Sequence, residues 1–522
     1  MSTKTTKRIL ALLILSFTGA VGLLIWHSDS PYPLIMDWDM FAHQHVVNSM
    51  LQGNISLFPT QISDTFLLNT YFPTFAILIG LGRYVIPFFS LTGYYFVLDT
   101  LHYVVVIIVG SLLGYVTTKR YAAAILSGVL SAFVFESVIA HTSMFLIPQT
   151  LAAVVVVLGC VLWVRGNKRL GLALLFGTIF IHFVIGSLGI VCGLLFVSSE
   201  YINEKFSVGI PKFLIYIGLL GVFVAVIFES LGDFNPFSSQ ESVALTFGLG
   251  EKLDLLISWY SPLIAAYLCG VWRVMKTGDD NQRYVVGISL GLLAAVFLPI
   301  PYSLKFLTVT RFFVNVTVAI GLVWLLDSLS RQWVKFVAYA AIWLIMLNVF
   351  VHSVVSFKSS IAYHDIRATV SNLEIEAAFF IENEYSGAYE TTLIVSDPAT
   401  QHVFEALSGV NSQGGAFASS ETRSLVAKLY PSVNAEDIEA LFTINDSIVN
   451  SEPETVLLIV SGRFMQWQNA PDDKKYDQTF SVWAPRDLTP QAFEYIDMLE
   501  QTGVATKVFT NNGAAVFEIN KP

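Results

Sequence analysis

Directly after a first apolar run at 9–26, the chain places Asp37, Trp38, Asp39, Met40, Phe41, Ala42, His43, Gln44 and His45 in a single short stretch. Two carboxylates and two imidazoles are thereby concentrated at one point of the chain. An ionised Asp can accept a proton from an attacking hydroxyl, so Asp37 and Asp39 are candidate general bases. If Asp39 opens a helix, His43 stands at i+4 on the same face. Such a pair could share a divalent cation (Mg or Mn), orient a base, or cap the helix; no other cofactor is suggested. Further polar candidates are scattered through otherwise apolar sequence: Arg311 at the start of a late run, Glu136 and His141 about one turn apart, and His182 inside the stretch 169–199. His43 joins them as a candidate substrate contact. An ionisable group within a membrane span is a functional candidate by default.

The elements that must hold these groups are membrane helices. Of the 522 residues, 54% are hydrophobic and only 13% charged, far from the balance of a soluble chain. Runs long enough to cross a bilayer occur near 9–26, 94–118, 121–140, 146–164, 211–231, 252–272, 284–300, 311–328 and 334–354. The stretch 169–199 is too long for one span and reads as two short helices meeting at His182, which brings the total to about eleven. The first run is long for a signal peptide and lacks a small-x-small cleavage pattern, so it reads as an uncleaved anchor. Basic residues test the sidedness: Lys4, Lys7, Arg8, Lys119, Arg120, Arg165, Lys168 and Arg169 fall on one side with the N-terminus, which the positive-inside rule makes cytoplasmic. An odd number of spans then puts the C-terminal region outside. The segment 71–90, interrupted by Pro73, Arg83 and Pro87, reads as an interfacial or re-entrant helix in a first external loop at about 27–93.

Residues 1–354 thus form the expected membrane domain, and 355–522 an extracytoplasmic α/β domain. Residues 355–522 carry 10 Lys and Arg against 23 Asp and Glu, a balance that excludes nucleic acid as a partner. Their β-rich runs at 391–395, 455–460, 504–509 and 515–519 alternate with helical stretches at 373–385 and 490–501. Ser396, Asp397 and Pro398 end one strand and lead into a helix; the bland reading is a turn and a cap. The three cysteines, Cys160, Cys192 and Cys269, lie in apolar runs and imply neither a disulfide nor a metal framework.

The order of these features resembles the GT-C superfamily of membrane glycosyltransferases, which take sugars from polyprenyl-phosphate carriers. The likeness extends over most of 1–354. Asp37 and Asp39 stand where that superfamily keeps its acidic residue after the first helix, and 48–53, ending on Gly53, looks like the helix and glycine that follow. Tyr71-Phe72-Pro73 resembles the family's Tyr-Pro-Pro segment with one proline missing. His182 sits between two short helices, and Arg311 stands where the family often holds a cation for the lipid phosphate. The tail lacks the Trp-Trp-Asp signature of oligosaccharyltransferase catalytic subunits, and the acidic pair is Asp-x-Asp, unlike the adjacent Asp-Glu of protein O-mannosyltransferases. The resemblance therefore implies a single-sugar transferase of the EC 2.4 class, working at the bilayer. A polyprenyl-phosphate sugar would be its donor, and a glycan, lipid or protein its acceptor. His43, Tyr71, Glu136, His141, His182 and Arg311 are the expected substrate-binding positions. The competing readings are a secondary transporter or lipid flippase, with Asp99 and Glu136 as coupling carboxylates, and a non-catalytic scaffold. Transporters commonly show internal repeats, and none is visible.

Overall fold

The structure is a computed structural model. It describes residues 11–22, 34–35, 41, 43–44, 47, 74–85, 91–133, 146–205, 218, 221, 248–298, 303–363, 369–385, 388, 391–412, 420–433, 435–443, 453–476 and 480–521. By its internal contacts the chain divides into two compact units, one of Met1–Ser28 with Phe96–Ser359 and one of Asp29–Tyr95 with Ser360–Pro522. The expected division placed the first external loop with the membrane helices; the contacts group it with the C-terminal region.

Among the described residues the first unit is built of helices. Val97–Thr118, Ser303–Ser328 and Gln332–Val351 are each long and apolar enough to cross a bilayer, and shorter apolar helices run over Ala11–Gly22, Tyr121–Ser131, Pro148–Val164 and Phe183–Ser198. The protein is a multi-pass membrane protein. Lys119, in a left-handed conformation at φ 55°, reverses the chain between the helices Leu91–Thr118 and Tyr121–Ser131. Arg120, beside it, pairs with Asp327 at the far end of Leu307–Ser328. The stretch 169–199 divides as expected into Lys168–Gly177, a single 3-10 turn at Thr178–Phe180, and Phe183–Lys205. His182 explains the break. Its Nδ1 accepts the Ile185 backbone N–H at 3.2 Å, an N-cap interaction that starts the second helix.

One expected span is different in the structure. The run 252–272 is two helices, Leu249–Tyr260 and Ile264–Thr277, that meet at 90° across a 3-10 turn at Ser261–Leu263. Pro262 supplies the reason, because a proline has no backbone N–H with which to continue the helix. Hydropathy is blind to that effect.

Small residues let helices of this unit approach closely. A Cβ on Gly270 would overlap the Thr317 backbone, and one on Gly321 the Ala266 backbone, so Ile264–Thr277 and Leu307–Ser328 touch main chain to main chain. Around this contact Val156, Cys160, Leu188, Val285, Phe313 and Val316 are fully buried.

In the second unit a five-stranded sheet has the order β4-β3-β5-β7-β6, where β3 is Thr392–Val395, β4 Asn411–Ser412, β5 Thr455–Ser461, β6 Ala505–Thr510 and β7 Ala514–Ile519. β4, β3 and β5 run parallel, and β7 is antiparallel to both β5 and β6. The helices Asn372–Tyr385 and Pro490–Gln501 and the four longer strands fall where the sequence put them. The sheet core gathers Leu393, Val395, Leu458, Phe464, Trp467 and Phe517. A second, two-stranded ladder joins distant parts of the chain: β1, Leu34–Ile35, pairs antiparallel with β2, Thr369–Val370.

Candidate active site

Asp37, Asp39, Tyr71, Glu136 and His141 lie outside the described residues. What the structure describes is part of the chain that follows the acidic segment, in one unit, and a polar cluster on Arg311, in the other.

Phe41, His43, Gln44 and Val47 are helical and buried. The His43 ring lies 5.2 Å from that of Phe75, on the helix Thr74–Val85. Beyond Phe75, Tyr94 donates to the Ile79 carbonyl at 2.6 Å and ties the end of this segment down. Among the described residues no group of three His, Cys, Asp or Glu side chains is arranged to hold a metal.

Phe41 is fully buried, and its ring stands 6.5 Å from the His402 imidazole at 67°, an edge contact. His402 belongs to the helix Pro398–Ser408, which is buried along its whole length despite carrying Thr400, Gln401, His402, Glu405 and Ser408. A helix so polar can be interior only if those groups have partners. His402 Nδ1 lies 3.1 Å from a Glu405 oxygen, and the other Glu405 oxygen accepts from Ser412. The Trp483 ring stands 5.8 Å from the imidazole at 75°, a second edge contact.

The strand-end residues of the C-terminal sheet behave as a turn and a cap. Asp397 accepts the Ala399 and Thr400 backbone N–H groups, both at 3.1 Å, while Thr400 meets Ser461 at 2.8 Å and Ser396 donates to the Ile459 carbonyl at 2.6 Å. Burial holds the Asp397 carboxyl above its ordinary range, against the pull of those hydrogen bonds. Arg463 and Glu374 form a fully buried ion pair at 2.7 Å that the sequence did not reveal, because its members lie 89 residues apart.

In the membrane unit, Arg311 sits one turn inside the helix Leu307–Ser328, after a 3-10 lead-in at Ser303–Phe306. It is 2% exposed, so it is no arginine reaching for headgroups at the edge of a span. Its Nε donates to the Thr308 carbonyl at 3.4 Å, and its guanidinium lies 4.6 Å from the Phe312 ring centre. Gln149 donates to the Thr308 hydroxyl at 2.8 Å. A turn further on, Asn315 accepts from Tyr260 and donates to Ser131, both at 3.3 Å. His102, Tyr103 and Tyr260 are within electrostatic reach of the guanidinium.

Two further polar side chains of this unit are buried, Asp99 and Lys252. Asp99 accepts the Leu146 backbone N–H at 2.8 Å and so ties a chain segment to the helix Leu91–Thr118. Lys252 donates to the Leu298 carbonyl at 2.9 Å and the Ser303 hydroxyl at 2.7 Å. Its spacing on an amphipathic helix was the available signal.

No family model and no curated protein matches this sequence. Solved structures do. The chain resembles the oligosaccharyltransferase of Archaeoglobus fulgidus in its complex with Zn and sulfate, at 12% identity and a TM-score of 0.53, over 87% of this chain and 69% of that one. It resembles AglB of the same organism, bound to an inhibitory peptide and a dolichol-phosphate, at 12% identity and TM-score 0.52, over 87% and 70%. ArnT from Cupriavidus metallidurans in the apo state matches over 100% of this chain and 99% of its own, at 11% identity and TM-score 0.51. Identities this low speak for fold alone: the chain has a GT-C-like fold, as the order of its sequence features implied.

Proposed function

We propose that this protein is a glycosyltransferase that moves a sugar from a polyprenyl-phosphate-linked donor to a glycan, lipid or protein acceptor on the outer face of the membrane. The N-terminus is cytoplasmic and the C-terminal domain extracytoplasmic in this reading. Asp37 or Asp39 takes the proton of the acceptor as it attacks the anomeric carbon; the bond from that carbon to the phosphate oxygen breaks, and the phosphate leaves with the electron pair. A carboxylate with an ordinary pKa of about 3.9 is ionised at neutral pH and ready for that task. Arg311 binds the departing phosphate, since a guanidinium presents several donors in a geometry that suits phosphate oxygens. A divalent cation held by Asp39 and His43 would share this work.

The observation that carries the reading is Arg311 itself, a permanent charge buried one turn inside an otherwise apolar helix and surrounded by hydrogen-bonding side chains. An ionisable group inside a membrane span is a functional candidate, and a buried guanidinium suits an anionic ligand. In this reading Asp99, a coupling carboxylate of the transporter alternative, serves to tie the Leu146 N–H to its helix. Mass analysis of lipid-linked sugars and surface glycans in a strain lacking this protein tests the proposal. Accumulation of one polyprenyl-phosphate sugar with loss of one glycan substituent supports it; unchanged profiles of both overturn it.

A further inference from the structure

We infer that Lys252 and Tyr260 are positioning residues for Arg311: from the two ends of one helix they fix the turn that carries the guanidinium. This rests on the proposed phosphate-binding role of Arg311. All three residues belong to one compact unit. The helix Leu249–Tyr260 exposes Leu249, Leu253 and Ile257, spaced i+4 along one face, and buries Lys252, Trp259 and Tyr260. A lysine near the end of a membrane helix ordinarily reaches out to the headgroups. This one is turned inward, at 3% exposure. Its ammonium donates to the Ser303 hydroxyl at 2.7 Å and to the Leu298 carbonyl at 2.9 Å.

Ser303 opens the 3-10 turn that runs directly into the helix Leu307–Ser328, and Arg311 lies one turn beyond the junction. One further turn along, Asn315 accepts from the Tyr260 hydroxyl at 3.3 Å. The helix Leu249–Tyr260 therefore holds the Arg311 helix at one point before the guanidinium and one point after it. Tyr260 is also within electrostatic reach of that charge. An arginine stem is long, so where its guanidinium lands depends on how its helix is rotated and shifted along its axis. Two tethers that bracket the residue fix both. Lys252 is the firmer of them, because hydrogen bonds from an ionised donor are stronger than neutral ones. Supporting contacts of this kind keep a binding group within about 0.5 Å of its productive place.

The test uses the full-length protein in detergent, with a synthetic polyprenyl monophosphate as the probe and its Kd per folded molecule as the readout. Lys252→Met keeps the length of the stem and removes the charge, and should weaken binding by about tenfold. Tyr260→Phe, which loses one neutral hydrogen bond, should weaken it by about threefold. Lys252→Arg keeps donors for both acceptors and should lose less than Lys252→Met. The decisive step repeats these substitutions in an Arg311→Ala background. A residue that acts through Arg311 has nothing to position there, so Lys252→Met and Tyr260→Phe should each change Kd by less than about twofold. A merely structural role would weaken binding by the same factor in both backgrounds. Equal factors in the two backgrounds, or an unchanged Kd in both single variants, overturns the inference. Should Lys252→Met fail to fold, Ser303→Ala removes the acceptor instead, with about threefold weakening expected in the parent and none without Arg311. If Arg311→Ala weakens binding by about 10²-fold while Lys252→Met and Tyr260→Phe do nothing, the positioning role fails and the phosphate reading stands. If Arg311→Ala binds the probe as the parent does, the phosphate reading fails and the positioning role falls with it.

Discussion

Two late helices, Leu307–Ser328 and Gln332–Tyr363, follow one another in sequence and are alike in apolar character, yet they are placed in opposite surroundings. The first is buried at every position from Leu307 to Val323. The second exposes Trp333, Phe336, Val337, Trp343, Leu344 and Leu347. The difference lies in their polar residues. Thr308, Thr310, Arg311, Asn315 and Thr317 punctuate the first helix, and its Gly321 admits a neighbouring backbone, whereas the exposed positions of the second from Trp333 to Leu347 are all aliphatic or aromatic. In a bilayer, apolar surface alone gives a helix no reason to leave the lipid; small residues and hydrogen-bonding side chains do. The helix that could be most at home in lipid is thus the interior one because of the residues that lipid would reject.

Substitutions can break this contrast in order of size. Gly321→Val should have the largest effect, since its side chain would displace the Ala266 backbone. The expected cost is about 3 kcal/mol or more, seen as loss of folded protein on thermal denaturation in detergent. Arg311→Ala should next reduce kcat/KM for the lipid-linked donor by about 10²-fold, with normal insertion, as expected for removing a group that stabilises departing charge. Arg311→Lys should recover only part of the loss, because an ammonium cannot reproduce a planar fork of donors. Asn315→Ala should cost about 0.6–1.7 kcal/mol by releasing Tyr260 and Ser131 from their shared partner. Leu344→Ala, on the exposed face of the second helix, should stay within about 0.5 kcal/mol of the parent in the same denaturation assay. A large loss there would show that this face is covered by protein.

The sequence revealed those parts of the fold that depend on local pattern. Strands such as Thr455–Ser461 announce themselves through runs of Val, Leu and Ile, and Pro490–Gln501 through its Thr489 cap, Pro490 and period. His182 was legible as a break, but its place at a helix start became clear only from the Ile185 hydrogen bond. Other features were hidden because they depend on partners far along the chain. Two-residue strands such as Leu34–Ile35 have no periodicity to detect, and the interior helix Pro398–Ser408 looks like a solvated one until Phe41 and Trp483 are seen against His402. Arg311 was picked out correctly as a candidate, but hydropathy placed it at the edge of a span, whereas the preceding 3-10 turn carries it inside. The acidic pair itself remains a reading of Asp37 and Asp39 by type, spacing and position in the chain.

The central claim rests on that pair, and sugar transfer by reconstituted protein measures it most directly. The lipid-linked donor that accumulates in the strain lacking the protein should be supplied to the parent and to the variant carrying Asp37→Asn and Asp39→Asn, with equal amounts of each inserted. Turnover should fall by about 10²-fold or more in the variant, on the scale of losing a general base. Parental turnover in the variant would contradict the claim and move the chemistry elsewhere, to Glu136 and His141.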